Sequence, residues 1–183
     1  MQGSRQRAKA QGFTLIETMV ALVVLGIGLV ALAAMLANSI AYMNSAQADF
    51  IAQQKASEAV ESIFTARDTQ AIAFASIQNV SQGGIFQDGA QNLVDPGPDG
   101  VVDTADDLAN SPDTIIKPGS DGILGTNDDI QIQLSVYYNM RRTITITNIV
   151  GVNNVRMITV TVTYTTGSFN RSYTLTSYIS QYA

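Results

Sequence analysis

Residues 1–37 read MQGSRQRAKAQGFTLIETMVALVVLGIGLVALAAMLA, and this stretch decides the architecture. Arg5, Arg7 and Lys9 form a basic leader that ends in Gly12. Phe13 and a solitary Glu17 follow, and from Thr18 to Ala37 no residue is charged. About twenty apolar residues suffice to cross a bilayer as a helix. A secretory signal carries its cleavage site after the apolar run. Here the Gly12–Phe13 boundary precedes the run, so a cut there leaves the hydrophobic segment on the mature chain. The basic leader stays cytoplasmic by the positive-inside rule, which puts the C-terminal body outside.

The helical pattern continues beyond the apolar run. Ala52, Ala56, Val60, Ile63 and Phe64 recur at helical spacing, with Gln53, Gln54, Glu58 and Glu61 elsewhere on the wheel. No glycine or proline interrupts Asn38–Ala66. The pattern predicts one helix from Phe13 to Ala66, about 80 Å long at 1.5 Å per residue. Residues 13–37 form its membrane-spanning half and residues 38–66 its amphipathic continuation. Gly26 and Gly28 lie inside the span, as tolerated glycines or as a packing or unwinding point.

From Ile130 the period changes to two. Ile130, Ile132, Leu134, Val136 and Tyr138 alternate with polar positions, as do Ile144 and Ile146, then Ile158, Val160, Val162 and Tyr164, then Tyr173 and Leu175. Such β-branched and aromatic alternation predicts strands with one buried face. Asn153-Asn154 and Thr166-Gly167-Ser168 are the predicted hairpin turns. A short helix is predicted around Ala71, Ala73, Phe74 and Ile77, and a turn at Ser81–Gly84. The predicted class is α+β: a long N-terminal helix packed on an antiparallel sheet of about four strands at residues 130–183. A connecting region, residues 67–129, carries a long acidic loop.

That loop contains a repeat. Pro96–Asp107 (PGPDGVVDTADD) and Pro118–Asp129 (PGSDGILGTNDD) share the frame P-G-x-D-G-x-x-x-T-x-D-D, 22 residues apart. Asp88–Asp129 holds ten aspartates against one lysine, Lys117. Crowded carboxylates repel unless solvated or neutralised by a cation. Calcium takes six to eight oxygen ligands, and a glycine supplies the turn of a short calcium loop. The first copy offers Asp95, Asp99, the Val101 carbonyl, Asp103, Asp106 and Asp107; the second offers Asp121, Asp128 and Asp129. The loop is thus read as a calcium site, with a pair of solvated Asp-Gly turns as the alternative.

Composition excludes several functions. The chain has no cysteine and no histidine, which removes disulfides, thiolate or imidazole metal sites and triads built on those residues. Net charge is −5, and loss of the leader makes it about −8, a balance unsuited to nucleic acid. The carboxylates sit in a repeated loop away from any apolar pocket motif, so the chain is not read as an enzyme.

The order Lys9, Gly12, Phe13, Thr14, Leu15, Ile16, Glu17 and then the apolar run resembles the class III signal of type IV prepilins and pseudopilins, and looks most like minor pilins of the pilus-modification type. The resemblance implies cleavage between Gly12 and Phe13 by prepilin peptidase and methylation of the new Phe13 amine. It implies pairing of Glu17 with that amine on a neighbouring subunit; a carboxylate in an apolar helix asks for such a partner. It also implies other pilin subunits, an inner-membrane assembly platform and, before assembly, membrane lipid as partners. The expected location is the bacterial inner membrane, then an extracellular pilus or a periplasmic pseudopilus. Many relatives of this kind close a C-terminal loop with a disulfide and carry a proline after the helix glycines; this chain has neither. The expected function is a minor pilin; the alternatives are a minor pseudopilin of a type II secretion system or a tip adhesin binding a surface or glycan.

Overall fold

The computed structural model describes residues 14–108 and 110–182. The chain divides into two units at Met43/Asn44, inside one continuous helix, α1 (Leu15–Asp68). Thr14 precedes the first turn and its hydroxyl accepts from Glu17 N (3.3 Å). Thr14-x-x-Glu17 therefore reads as a capping-box sequence, and the Glu17 charge complements the N-terminal end of the helix dipole. Arg67 occupies the last turn, where Gln70 adopts a left-handed φ of 58° and ends the helix.

In the first unit the apolar residues of α1 are exposed, and the best 18-residue window has a mean hydropathy of 2.8 with none of it buried. In the second unit the helix turns one face inward: Ala48, Ile51, Ala52, Ala56, Ala59, Ile63 and Ala66 are buried. Five of these seven are alanines, so the helix axis can lie close to the sheet. Of the predicted stripe, Val60 and Phe64 sit half-buried at its margin.

The sheet has the order β1-β4-β5-β6 and is antiparallel throughout. Its strands are β1 (Gln91–Asn92), β4 (Arg141–Ile149), β5 (Val152–Thr166) and β6 (Phe169–Ser180). The register Ile144↔Val160 and Ile146↔Ile158 stacks the predicted apolar positions on one face. These four, with Val162, Tyr164 and Ile179, form the core against α1. The other face of the same strands is threonine-rich, as at Thr145, Thr163, Thr174 and Thr176.

Three predicted details differ. The alternating run at 130–138 is not one strand of this sheet. Only β3 (Ile130–Gln133) is extended, and it pairs with β2 (Thr114–Lys117) in a separate two-stranded ribbon. Leu134–Tyr137 is a single helical turn, α2, fixed by the buried Leu134, whose N–H donates to Asp113 O (3.0 Å). Asn139 (φ 46°) then turns the chain into β4. The first hairpin turn is at Val150-Gly151, where Gly151 takes φ 80°, and a bulge at Asn148/Ile149 shifts the register. Asn153 and Asn154 therefore lie within β5. The segment after α1 holds two 3₁₀ turns, Phe74–Ser76 and Val80–Gln82, in place of a longer helix. The turn at Gly167-Ser168 falls where the sequence places it.

Candidate functional site: an exposed apolar helix and a twin acidic loop

The two copies of the acidic repeat fold alike. In the first, Val101 N donates to Asp99 Oδ1 (2.8 Å), Asp99 N to Asp106 Oδ2 (3.4 Å) and Asp103 N to Asp107 Oδ2 (2.7 Å); the Thr104 hydroxyl donates to Asp106 Oδ1 (2.6 Å). In the second, Ile123 N donates to Asp121 Oδ1 (2.8 Å), Asp121 N to Asp128 Oδ2 (3.2 Å) and Gly125 N to Asp129 Oδ2 (2.6 Å); the Thr126 hydroxyl donates to Asp128 Oδ1 (2.6 Å). The shared frame follows from these bonds. Its aspartates accept from backbone N–H groups two to seven residues away, the Asx-turn chemistry that competes with regular structure. Gly100 (φ 69°) and Gly122 (φ 72°) supply left-handed turns. A Cβ at Gly97 or Gly119 would overlap the carbonyl and carboxylate of Asp106 or Asp128, which explains the other repeated glycine.

The copies differ in where they sit. In the first, Val101 and Val102 are fully buried in the core. Asp103 points inward and meets Arg142 of β4 through both oxygens, Nε–Oδ2 at 2.9 Å and Nη2–Oδ1 at 3.0 Å. Both side chains of that pair are essentially inaccessible. Lys55 of α1 ties the base of the same loop by pairing with Asp113 (3.0 Å) as well as Glu58 (2.8 Å). Burial opposes the Lys55 charge, but these carboxylates outweigh it and raise its pKa. The second copy forms the tip of the β2–β3 ribbon, with Ile123 and Leu124 60% and 62% exposed.

Hydrogen bonding and burial set the carboxylates apart. The Thr126 and Ser120 hydroxyls hold Asp128 down to about 2, and the Thr104 hydroxyl lowers Asp106 in the equivalent position. Burial pushes Asp107 up. Asp95 accepts from the Ser111 hydroxyl, and Asp95 N donates to Ser111 O (2.9 Å), closing the neck of the first copy. The Val101 carbonyl accepts from the Thr104 hydroxyl (3.2 Å). Asp129 Oδ1 is buried without a hydrogen-bond partner among the described residues. No three acidic side chains converge on one point among the described residues.

Asp103 is thus taken up by Arg142, with both carboxylate oxygens facing the guanidinium. Arg142 itself carried no signal: it sits at a buried-face position of a strand whose other such positions are apolar. The apposition of Asp103 and Arg142, 39 residues apart, is set by tertiary packing.

Glu17 lies on the exposed helix. Gly12 and Phe13 lie outside the described residues. Residues 7–33 match the family model of the prokaryotic N-terminal methylation motif, so both fall inside the matched segment. No curated protein and no solved structure matches the chain. The N-terminal segment of this chain is the class III signal of type IV pilins and pseudopilins.

Proposed function

We propose that the chain is a minor pilin: a precursor held in the inner membrane by α1, cut between Gly12 and Phe13, methylated on Phe13 and packed helix-to-helix into a type IV pilus. The observation that carries this reading is the bare apolar helix that begins inside the matched motif. Twenty uncharged residues with no burial of their own require lipid first and other helices afterwards. Glu17, at the start of that helix, is then available to pair with the Phe13 amine of a neighbour. Prepilin peptidase, the assembly platform and other pilin subunits are the corresponding partners.

N-terminal sequencing and intact mass of the chain recovered from its own cells test the reading. A mature chain starting at N-methylated Phe13 in the membrane or filament fraction is expected. A chain keeping its leader, or one found in the cytosol, would sink it.

Calcium is the second part of the proposal. The loop donors are oxygens alone, which suits a hard cation, and a buried carboxylate oxygen without a partner, as at Asp129, asks for one. Asp121, Asp128 and Asp129 in the second copy, and Asp95, Asp99, Asp106 and Asp107 in the first, would supply carboxylates. The Val101 carbonyl is the backbone ligand, and Asp103 is committed to Arg142. An ion bound only by the folded loop stabilises it by mass action. Millimolar calcium should raise the Tm of the full chain in detergent by several degrees over chelator, and Asp129→Asn should cancel the rise. An unchanged Tm would remove calcium and leave the pilin reading standing.

A further inference from the structure

We propose that the Ile123–Leu124 tip of the β2–β3 ribbon is a plug that enters an apolar, basic-rimmed slot on a different subunit of the same filament. This rests on the pilin reading above and names the surface through which the body would meet a partner.

The first copy of the repeat shows what this loop does with its apolar pair. Val101 and Val102 occupy the positions of Ile123 and Leu124 in the shared frame, and both are 0% exposed. Three hydrogen bonds that hold the first loop recur at the equivalent positions of the second. Scattered exposed aliphatics are ordinary. Here, however, two adjacent and bulkier ones are held by a frame whose twin buries its own pair. Burying two such side chains favours association. The ribbon that carries them has only two strands, a structure of marginal stability in water.

The differences between the copies define the slot. Asp103, which needs Arg142, is replaced by Gly125, so the slot requires no buried arginine. Asp121 and Asp128 flank the tip and stay exposed. Lys117, at the end of β2, lies over the Tyr137 ring (4.8 Å). The tip is thus apolar at its point and acidic around it; even with a divalent cation held between them, Asp121, Asp128 and Asp129 keep one net negative charge, which fits a slot with cations on its rim. The described residues of a second copy match it poorly. Its own receptacle for such a pair is already filled by Val101 and Val102. Of the hollows on its body, two carry carboxylates that repel an acidic tip, Asp49 in one and Glu58, Glu61 and Asp99 in the other, and the arginine beside a third, Arg171, is already paired with Asp49.

A photo-crosslinking benzoylphenylalanine placed at position 124 of the full chain, expressed in its own cells, tests the proposal. One adduct is expected, with another pilin-type subunit identified by peptide mass. Ile123→Ser with Leu124→Ser should leave the melting temperature of the purified chain unchanged and lower its share of the sheared filament fraction by about tenfold. Adducts with a second copy or with lipid, no adduct, or undiminished incorporation of the double variant would overturn it. In each of those cases a mature N-terminus at Phe13 shows that the pilin reading survives; an uncut leader in the wild-type chain shows that the reading itself has failed.

Discussion

Asp103→Gly should cost the body about 3–5 kcal/mol, the usual penalty for removing one partner of a buried ion pair, and lower its Tm by roughly 10 °C. Glycine is the right probe because Asp103 adopts a left-handed φ of 59°, and the second copy already has Gly125 there at φ 89°. The substitution relieves backbone strain and makes the first loop like its twin. What remains is an Arg142 guanidinium with no access to water and no counter-charge. Among the described residues its only other acceptor is the Lys55 carbonyl, at the long distance of 3.5 Å. The cost therefore reports the stranded cation and not the net worth of the bridge. Combining Asp103→Gly with Arg142→Met should recover most of the loss, since a methionine of similar length fills the same space without a charge. Thermal unfolding of the four chains closes the cycle. If the double variant is as unstable as Asp103→Gly alone, the pair holds the loop by directed bonding and the desolvation argument is wrong.

How much of this was legible before the structure follows from the same residues. The apolar helix is written in one dimension: a charge-free run of twenty residues is long enough to cross a bilayer as a helix. The buried stripe Ala52, Ala56 and Ile63, and the faces of β4, β5 and β6, follow from periods of 3.6 and 2, which backbone geometry imposes directly. The ribbon and α2 were not legible, because Ile130–Tyr138 alternates throughout and only the anchoring of Leu134 to Asp113 O divides it. The hairpin turn moved from Asn153-Asn154 to Val150-Gly151 because a nearby bulge absorbed the register difference. In the repeat, sequence spacing singled out the aspartates as candidate cation ligands and did not show the backbone N–H groups that they accept from. Asp99, Asp106 and Asp107 close Asx-type turns, and the burial of one copy beside the exposure of the other depends on what each meets in space.

Asn79→Ala is the second substitution with a large expected effect. β1 pairs with β4 only at Arg141 and Arg142, so the outer edge of β4 beyond that point has no strand beside it. The Asn79 side chain replaces one. Its Nδ2 donates to Ile144 O (2.8 Å) and its Oδ1 accepts from Ile146 N (2.8 Å), with the residue 5% exposed. A single amide thus reproduces the donor and acceptor of a strand neighbour. The backbone bond from Val80 N to Phe86 O (2.8 Å) holds it there. Alanine leaves one buried carbonyl and one buried N–H unpaired, each costing about 1–3 kcal/mol, so a loss of roughly 2–5 kcal/mol is expected. Faster hydrogen exchange at the Ile146 amide should accompany it. Asn79→Asp separates the two bonds. The carboxylate keeps the bond from Ile146 N but faces the Ile144 carbonyl with no proton to give. Protonation restores a donor, so the folded-state pKa of that carboxyl lies above its unfolded value of about 4. The penalty is then smallest below that pH and grows as pH rises through the raised pKa. Denaturant unfolding of Asn79→Asp against the wild-type chain at pH 4 and pH 7 measures this. An equal deficit at both values would mean that the donated bond to Ile144 O contributes nothing and that the edge of β4 is held by packing alone.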